Sequence, residues 1–219
     1  MNQAGELSRY LDRGQRRQIG AEVLARGLPA LPDGLTHQMS FPVACWTAVR
    51  SAVVMFLAFH ELEGEVLPWV TVGTYVRGGQ GWSASRMWAG AGWSHDPIGK
   101  PGSLRDLGGN AMVTSGGVFE SRPEPGYPVA VVRGRVAPGV TQIALIQDGR
   151  EHRRPLESHF GAWVVCTERP TEFEVTAMDD TGMVLGRIPY LGAAKMVERR
   201  RGQLQQRGGG DGGRRGPRR

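Results

Sequence analysis

GRVAPGVTQIALIQDGRE, Gly134 to Glu151, decides the fold class. Two apolar runs are set off by two turn dipeptides, Pro138-Gly139 and Asp148-Gly149. Along an extended chain Val140, Gln142, Ala144 and Ile146 share one face, and Thr141, Ile143, Leu145 and Gln147 the other. The same texture continues outward. PVAVVRGRVA precedes it, and REHRRPLES, FGAWVVC, TEFEVTAM and MVLGRIPY follow, with TERP and DDTG as further turns. Short runs broken about every 8–12 residues by turn chemistry predict an all-β sandwich. Its inner faces are expected to draw on Val131, Ile143, Leu145, Trp163, Val165, Phe173, Val175 and Val184.

Residues 127–190 resemble an immunoglobulin-like or fibronectin-like sandwich module of the kind found in bacterial surface, regulatory and uncharacterised proteins. The resemblance rests on GRVAPGVTQIALIQDGRE, FGAWVVC and TEFEVTAMDDTGMVLG, and on Trp163 standing three residues before Cys166. It covers under a third of the chain, and the Cys…Trp…Cys spacing of an antibody domain is absent. Such a module implies binding or scaffolding, although a fold alone does not carry a function.

The remaining segments complete a mainly β chain. Residues 1–40 read as a helical arm and linker: Leu7, Tyr10, Leu11, Ile19, Val23 and Leu24 fall near helical spacing, Gly14 and Gly20 weaken the helix, and GLPALPDG stops it. Residues 41–122 read as a small antiparallel meander with a long Gly-rich loop. Three strands are expected between about 51 and 88, with Pro68 at an edge or a bulge. FPVACWTAVRSAVVMFLAF, Phe41 to Phe59, reads as one core element, since Arg50 near its middle is costly in a membrane. Residues 89–126 read as the least structured part, a long Gly/Pro-rich loop followed by a short strand, MVTSGGVFES, and SRPEPGYP reads as a boundary or crossover before the sandwich at 123–192. Residues 193–219 read as a disordered basic tail.

Charge is concentrated in that tail. The chain of 219 residues carries a formal +6, and all but two of its 27 basic residues are arginine. From Lys195 onward nine bases and two acids leave +7; the other 18 bases and 19 acids leave −1. A basic face on the folded part is therefore not implied. The tail offers Arg199, Arg200, Arg201, Arg207, Arg214, Arg215, Arg218 and Arg219 as a nucleic-acid contact by counterion release and guanidinium stacking.

No catalytic, cofactor or metal signature is expected. GGQGWSA contains G-x-G-x-x-A but lacks a following helix, so it reads as a hairpin turn. GWSAS misses the second glycine of a nucleophile elbow, and Ser94, His95 and Asp96 are too close in sequence to converge as a triad. Gly99-Lys100 is followed by proline, which excludes a phosphate-binding loop of the Walker type. His60-Glu61 has no second histidine at zinc spacing; His152 and His159 are the pair that neighbouring strands could bring together. Trp82, Trp88 and Trp93 flank the loop and could stack on a base or a sugar. Cys45 and Cys166 read as free thiols. The polar N-terminus lacks the apolar core of a secretory signal, and a cytoplasmic protein is expected. The functional expectation is a non-enzymatic protein that binds another macromolecule through sheet edges and the 89–126 loop. The alternatives are nucleic-acid association through the tail, and an unrecognised hydrolase-like enzyme.

Overall fold

The computed structural model describes residues 12–62, 64–92, 98, 107–114, 119–124, 127–169 and 171–190. Among these residues the chain is mainly β, with one helix and three antiparallel sheets. The tail arginines, Leu7, Tyr10 and Leu11, and the Ser94–Asp96 and Gly99-Lys100 motifs lie outside the described residues.

Helix α1 (Arg13–Arg26) opens on Asp12, whose side chain accepts from the Gln15 backbone N–H while the Gln15 side chain accepts in return from the Asp12 N–H. This reciprocal cap satisfies two of the donors that a helix start leaves open. Gly27, at φ 87°, ends the helix. The first sheet follows as a meander of β1 (Phe41–Thr47), β2 (Ser51–Leu62), β3 (Glu65–Gly78) and β4 (Gly81–Gly92), in that order. The three strands expected between about 51 and 88 are β2, β3 and β4, and β1 adds a fourth before them. Phe41–Phe59 is not one element but a hairpin, reversed at Ala48–Arg50, where the Ala48 N–H donates to the Ser51 carbonyl at 2.7 Å. The reason lies in β2: Ser51 to Phe59 is buried on both faces. Val53, Met55, Leu57 and Phe59 face the main core, while Ala52, Val54 and Phe56 pack toward α1. A strand covered on both sides shows no alternation, so its edges cannot be read from period two.

Pro68 is a buried residue in β3 and pairs with Phe59, but β4 joins β3 only from Trp69 onward, with an irregularity by Thr71. Proline thus sits where one side of the strand has no partner in the ladder. GGQGWSA is a hairpin, as its sequence predicts: Gly78 pairs Gly81 around a two-residue turn.

The second sheet contains β5 (Met112–Thr114), β6 (Phe119–Glu124), β7 (Tyr127–Val136) and β10 (Ala162–Thr167). β7 pairs β10 along one side and β5 and β6 along the other. Within SRPEPGYP, residues 121–124 belong to β6 and Tyr127 and Pro128 to β7, and Glu124 pairs Tyr127, so the segment joins two paired strands of one sheet. The third sheet runs β12 (Val184–Tyr190), β11 (Phe173–Met178), β8 (Gln142–Gln147), β9 (Arg150–Pro155). One apolar cluster joins all three sheets: Val53, Val72, Val131, Leu145, Trp163 and Val175 belong to it together. Of the residues expected inside, Val131, Ile143, Leu145, Trp163, Val165, Phe173 and Val175 are buried. Val184 is not, at 41% exposure, because β12 is an edge strand and Val184 begins it.

Candidate functional site: a basic sheet edge beside an inter-sheet cleft

The β8–β9 hairpin builds one wall of the site. Asp148 and Gly149 both take positive φ, 51° and 71°, the signature of a tight two-residue turn whose twist suits a hairpin. Gln147 and Arg150 flank it and form the first hydrogen-bonded pair. Bonding then alternates along the ladder. Pro155, which has no N–H, falls at an unbonded position opposite Gln142, and the Leu156 N–H donates to the Thr141 carbonyl at 2.8 Å at the next bonded one. It follows that the backbone N–H and C=O of Glu151 and Arg153 point away from β8, toward the open edge. Every residue of β9 is exposed. Arg150, His152 and Arg154 share the face of Gln147, Leu145 and Ile143, which is the face turned to the core.

At that margin the third sheet meets the β1–β2 turn, leaving a cleft of about 420 Å³. Its apolar surface comes from Trp46, Val49 and Leu145, and Val49 is 77% exposed. Its rim carries Arg150, His152, Arg154 and Arg169 with Asp148 and Glu168. The Arg154 guanidinium lies 5.3 Å from the centre of the Trp46 ring and donates to Thr47 Oγ1. That stacking contributes about 0.5–1 kcal/mol at an exposed position and holds the long side chain upright over the cleft.

The two carboxylates are already engaged. Glu168 Oε1 accepts from the Ser51 N–H at 2.7 Å, the Ser51 hydroxyl at 3.1 Å and the Arg50 N–H, tying the β10–β11 loop to the β1–β2 turn. Asp148 faces Arg169 at 3.6 Å. Gln147 fixes the floor: its amide donates to the Arg169 carbonyl at 2.6 Å and to Thr171 Oγ1 at 2.7 Å, and its oxygen accepts from the Thr167 hydroxyl at 2.6 Å. Among the described residues Arg150 and Arg154 form no ion pair. The site therefore presents two uncompensated guanidinium groups beside an apolar wall, suited to an acidic ligand with an apolar or extended body.

A second hollow of about 350 Å³ lies on the other side of the Trp46–Arg154 stack, bounded by Val23 and Leu24 of α1, Cys45 and Glu157. Cys45 Sγ lies 3.7 Å from Glu157 Oε2. Burial first, and then the Glu157 charge, pushes the Cys45 thiol up to about 12; burial does the same to Cys166. Both cysteines are free, as the sequence predicts, and both are held as thiols at neutral pH, so neither is an activated nucleophile. Each is protonated in the fold at pH values where the unfolded thiol, near 9, ionises. Their contribution to stability is complete below pH 9 and is lost as pH rises toward 12. At pH 8 the native protein is expected to react with Ellman's reagent at least about tenfold more slowly than the urea-unfolded chain. Equal rates would refute the buried placement.

The other sequence candidates are dispersed. His152 stands on β9, whereas His159 lies in the β9–β10 loop, its ring N–H donating to the Pro29 carbonyl at 2.8 Å to hold the segment after α1. The two histidines do not converge, and no group of three metal-ligating side chains occurs among the described residues. His60 packs edge-on against Trp69, 5.6 Å between ring centres, and His37 against Phe59 at 4.9 Å. Trp82 is half-buried beneath Arg77, and Trp93 lies outside the described residues. The residues that build the cleft, notably Trp46, Arg154 and Glu168, carry no local motif. No helix among the described residues is long and apolar enough to cross a membrane. The chain matches no protein-family model, and no curated protein or solved structure shows significant similarity to it.

Proposed function

We propose that this is a non-enzymatic binding protein that engages an acidic macromolecular partner at the cleft between the β1–β2 turn and the β8–β9 hairpin. The observation that carries this reading is the pair Arg150 and Arg154, exposed and without a carboxylate partner among the described residues, set against Trp46 and Val49. Binding rather than chemistry is supported by how the polar groups are committed. Glu168 holds backbone donors, Gln147 holds a turn, and the nearby thiols stay protonated. Exposed guanidinium groups act mainly through long-range attraction, which salt screens.

The test uses poly-L-glutamate and the full chain at low and moderate salt. The double variant Arg150→Gln/Arg154→Gln is expected to bind about tenfold more weakly and with a shallower salt dependence, while Arg77→Gln on the first sheet changes little. A further variant with the eight arginines from Arg199 to Arg219 changed to glutamine separates the tail's share. Binding that is lost in the tail variant yet intact in the double variant would overturn the cleft reading and move the function to the tail.

A further inference from the structure

We propose that the partner binds as an added β-strand on the open edge of β9, and that it is an extended segment with acidic residues at every second position. The inference rests on the functional reading above and gives it a mode. Among the described residues β9 ends its sheet, all six of its residues are exposed, and the hairpin phase aims the N–H and C=O of Glu151 and Arg153 outward. A chain laid along this edge completes the ladder through its own backbone. Its alternate side chains then fall beside Arg150, His152 and Arg154 on the cleft face, and the intervening ones beside Glu151 and Arg153. Acids at positions i, i+2 and i+4 therefore meet the two guanidinium groups that pair with no carboxylate among the described residues.

Charge also argues against a second copy of this chain as occupant. A symmetric antiparallel pairing that uses the outward groups of residues 151 and 153 has three registers. They place Glu151 opposite Glu151, Arg153 opposite Arg153, or Arg150 opposite Arg154 twice, the last with Glu151 opposite Arg153 twice on the other face. The first two registers set a like pair at their centre, and the third leaves both arginine pairs on the cleft face without an acid. An edge whose cleft face repels its own copy and attracts acids suits a foreign acidic strand.

The probe is a synthetic eight-residue peptide alternating glutamate and threonine, titrated by fluorescence anisotropy against the full chain. Glu151→Pro removes one outward N–H and one negative charge. Attraction of charge alone makes this variant bind more tightly; strand addition makes it bind about tenfold more weakly, because a ladder bond is lost and the ring obstructs the edge. Glu151→Gln, which keeps the N–H, is expected to bind equally or more tightly. The same eight residues with the glutamates clustered at one end are expected to bind about tenfold more weakly than the alternating peptide.

Glu151→Pro with native circular dichroism and undiminished affinity would overturn strand addition while leaving the charge-based function standing. Should that variant lose its fold, a peptide N-methylated at alternate residues decides on the unaltered protein: affinity equal to that of the unmethylated peptide overturns the proposal, and a clear loss supports it. A mixed-sequence single-stranded oligonucleotide that binds more tightly than the peptide, and equally to the wild type and Glu151→Pro, would overturn it in favour of nucleic acid. The functional reading fails separately, if Arg150→Gln/Arg154→Gln leaves all acidic probes unaffected.

Discussion

Replacing Gly134 by alanine is expected to lower stability by about 3 kcal/mol or more, and the melting temperature by roughly 6–12 °C for a chain of this size. A Cβ at this position would lie 1.8 Å from the Val113 carbonyl oxygen and 2.8 Å from Trp163 Nε1. Neither neighbour can yield. Val113 is backbone of β5, paired to β7 on both sides of this residue, and the Trp163 indole is 1% exposed. The indole N–H is shared between the Arg135 carbonyl at 3.1 Å and the Val113 carbonyl at 3.3 Å. An added methyl therefore displaces β5 and leaves a buried donor with a poorer acceptor. Gly186→Ala is the control. Its Cβ would meet Ala111 and Met112 side chains at 3.3 and 3.4 Å, a contact that a slight shift relieves, and a loss of about 1 kcal/mol or less is expected. Thermal unfolding followed by tryptophan fluorescence reads both. A Gly134→Ala protein that melts within a degree or two of the parent would refute the close approach of β5 to β7.

The second large effect concerns α1, and its sign is the informative part. In an isolated or undocked helix, Gly20→Ala stabilises by about 1 kcal/mol, because alanine is the better helix former. In the docked helix a Cβ would lie 1.8 Å from the Tyr75 hydroxyl oxygen and 2.4 Å from its Cζ. Tyr75 is fully buried, lies close above Gly73 and donates to the Arg16 carbonyl at 3.0 Å; burial pushes its hydroxyl pKa upward. The ring is thus held from both sides and cannot swing away. Gly20→Ala is expected to destabilise by about 2–3 kcal/mol, which overpacking of this kind typically costs. Tyr75→Phe removes the nearest clashing atom, so the double variant should lose less than the two single losses combined. Stabilisation by Gly20→Ala in chemical denaturation would show that α1 does not dock on this sheet.

These two glycines also show where the sequence is mute. Gly20 reads as a flaw in a helical pattern, and Gly134 as an unremarkable strand residue. Each is required by an atom contributed from a distant segment, Tyr75 in one case and Val113 in the other. The same holds for the site. Arg154 meets Thr47 across 107 positions and Glu168 meets Ser51 across 117, so no window of sequence contains the cleft. The arginines that did stand out, from Arg199 to Arg219, lie outside the described residues, and composition had made the folded part look electrically neutral. A near-zero sum hides Arg150 and Arg154 because Glu168 and Asp148, which balance them in the count, are turned to other partners.

What the sequence determined by itself was the mainly β class, the hairpins at Gly78–Gly81 and Asp148-Gly149, and the phase of β8, whose Ile143 and Leu145 are buried together. Turn chemistry and the two-residue period act within a few positions, so a few positions suffice to read them. Only the tertiary structure decided the rest. Ala144 and Thr176 are buried on the face opposite Leu145, β2 is buried on both faces, and β9 is exposed throughout. Whether a face or an edge is covered depends on what packs against it, and those partners are brought in from elsewhere in the chain.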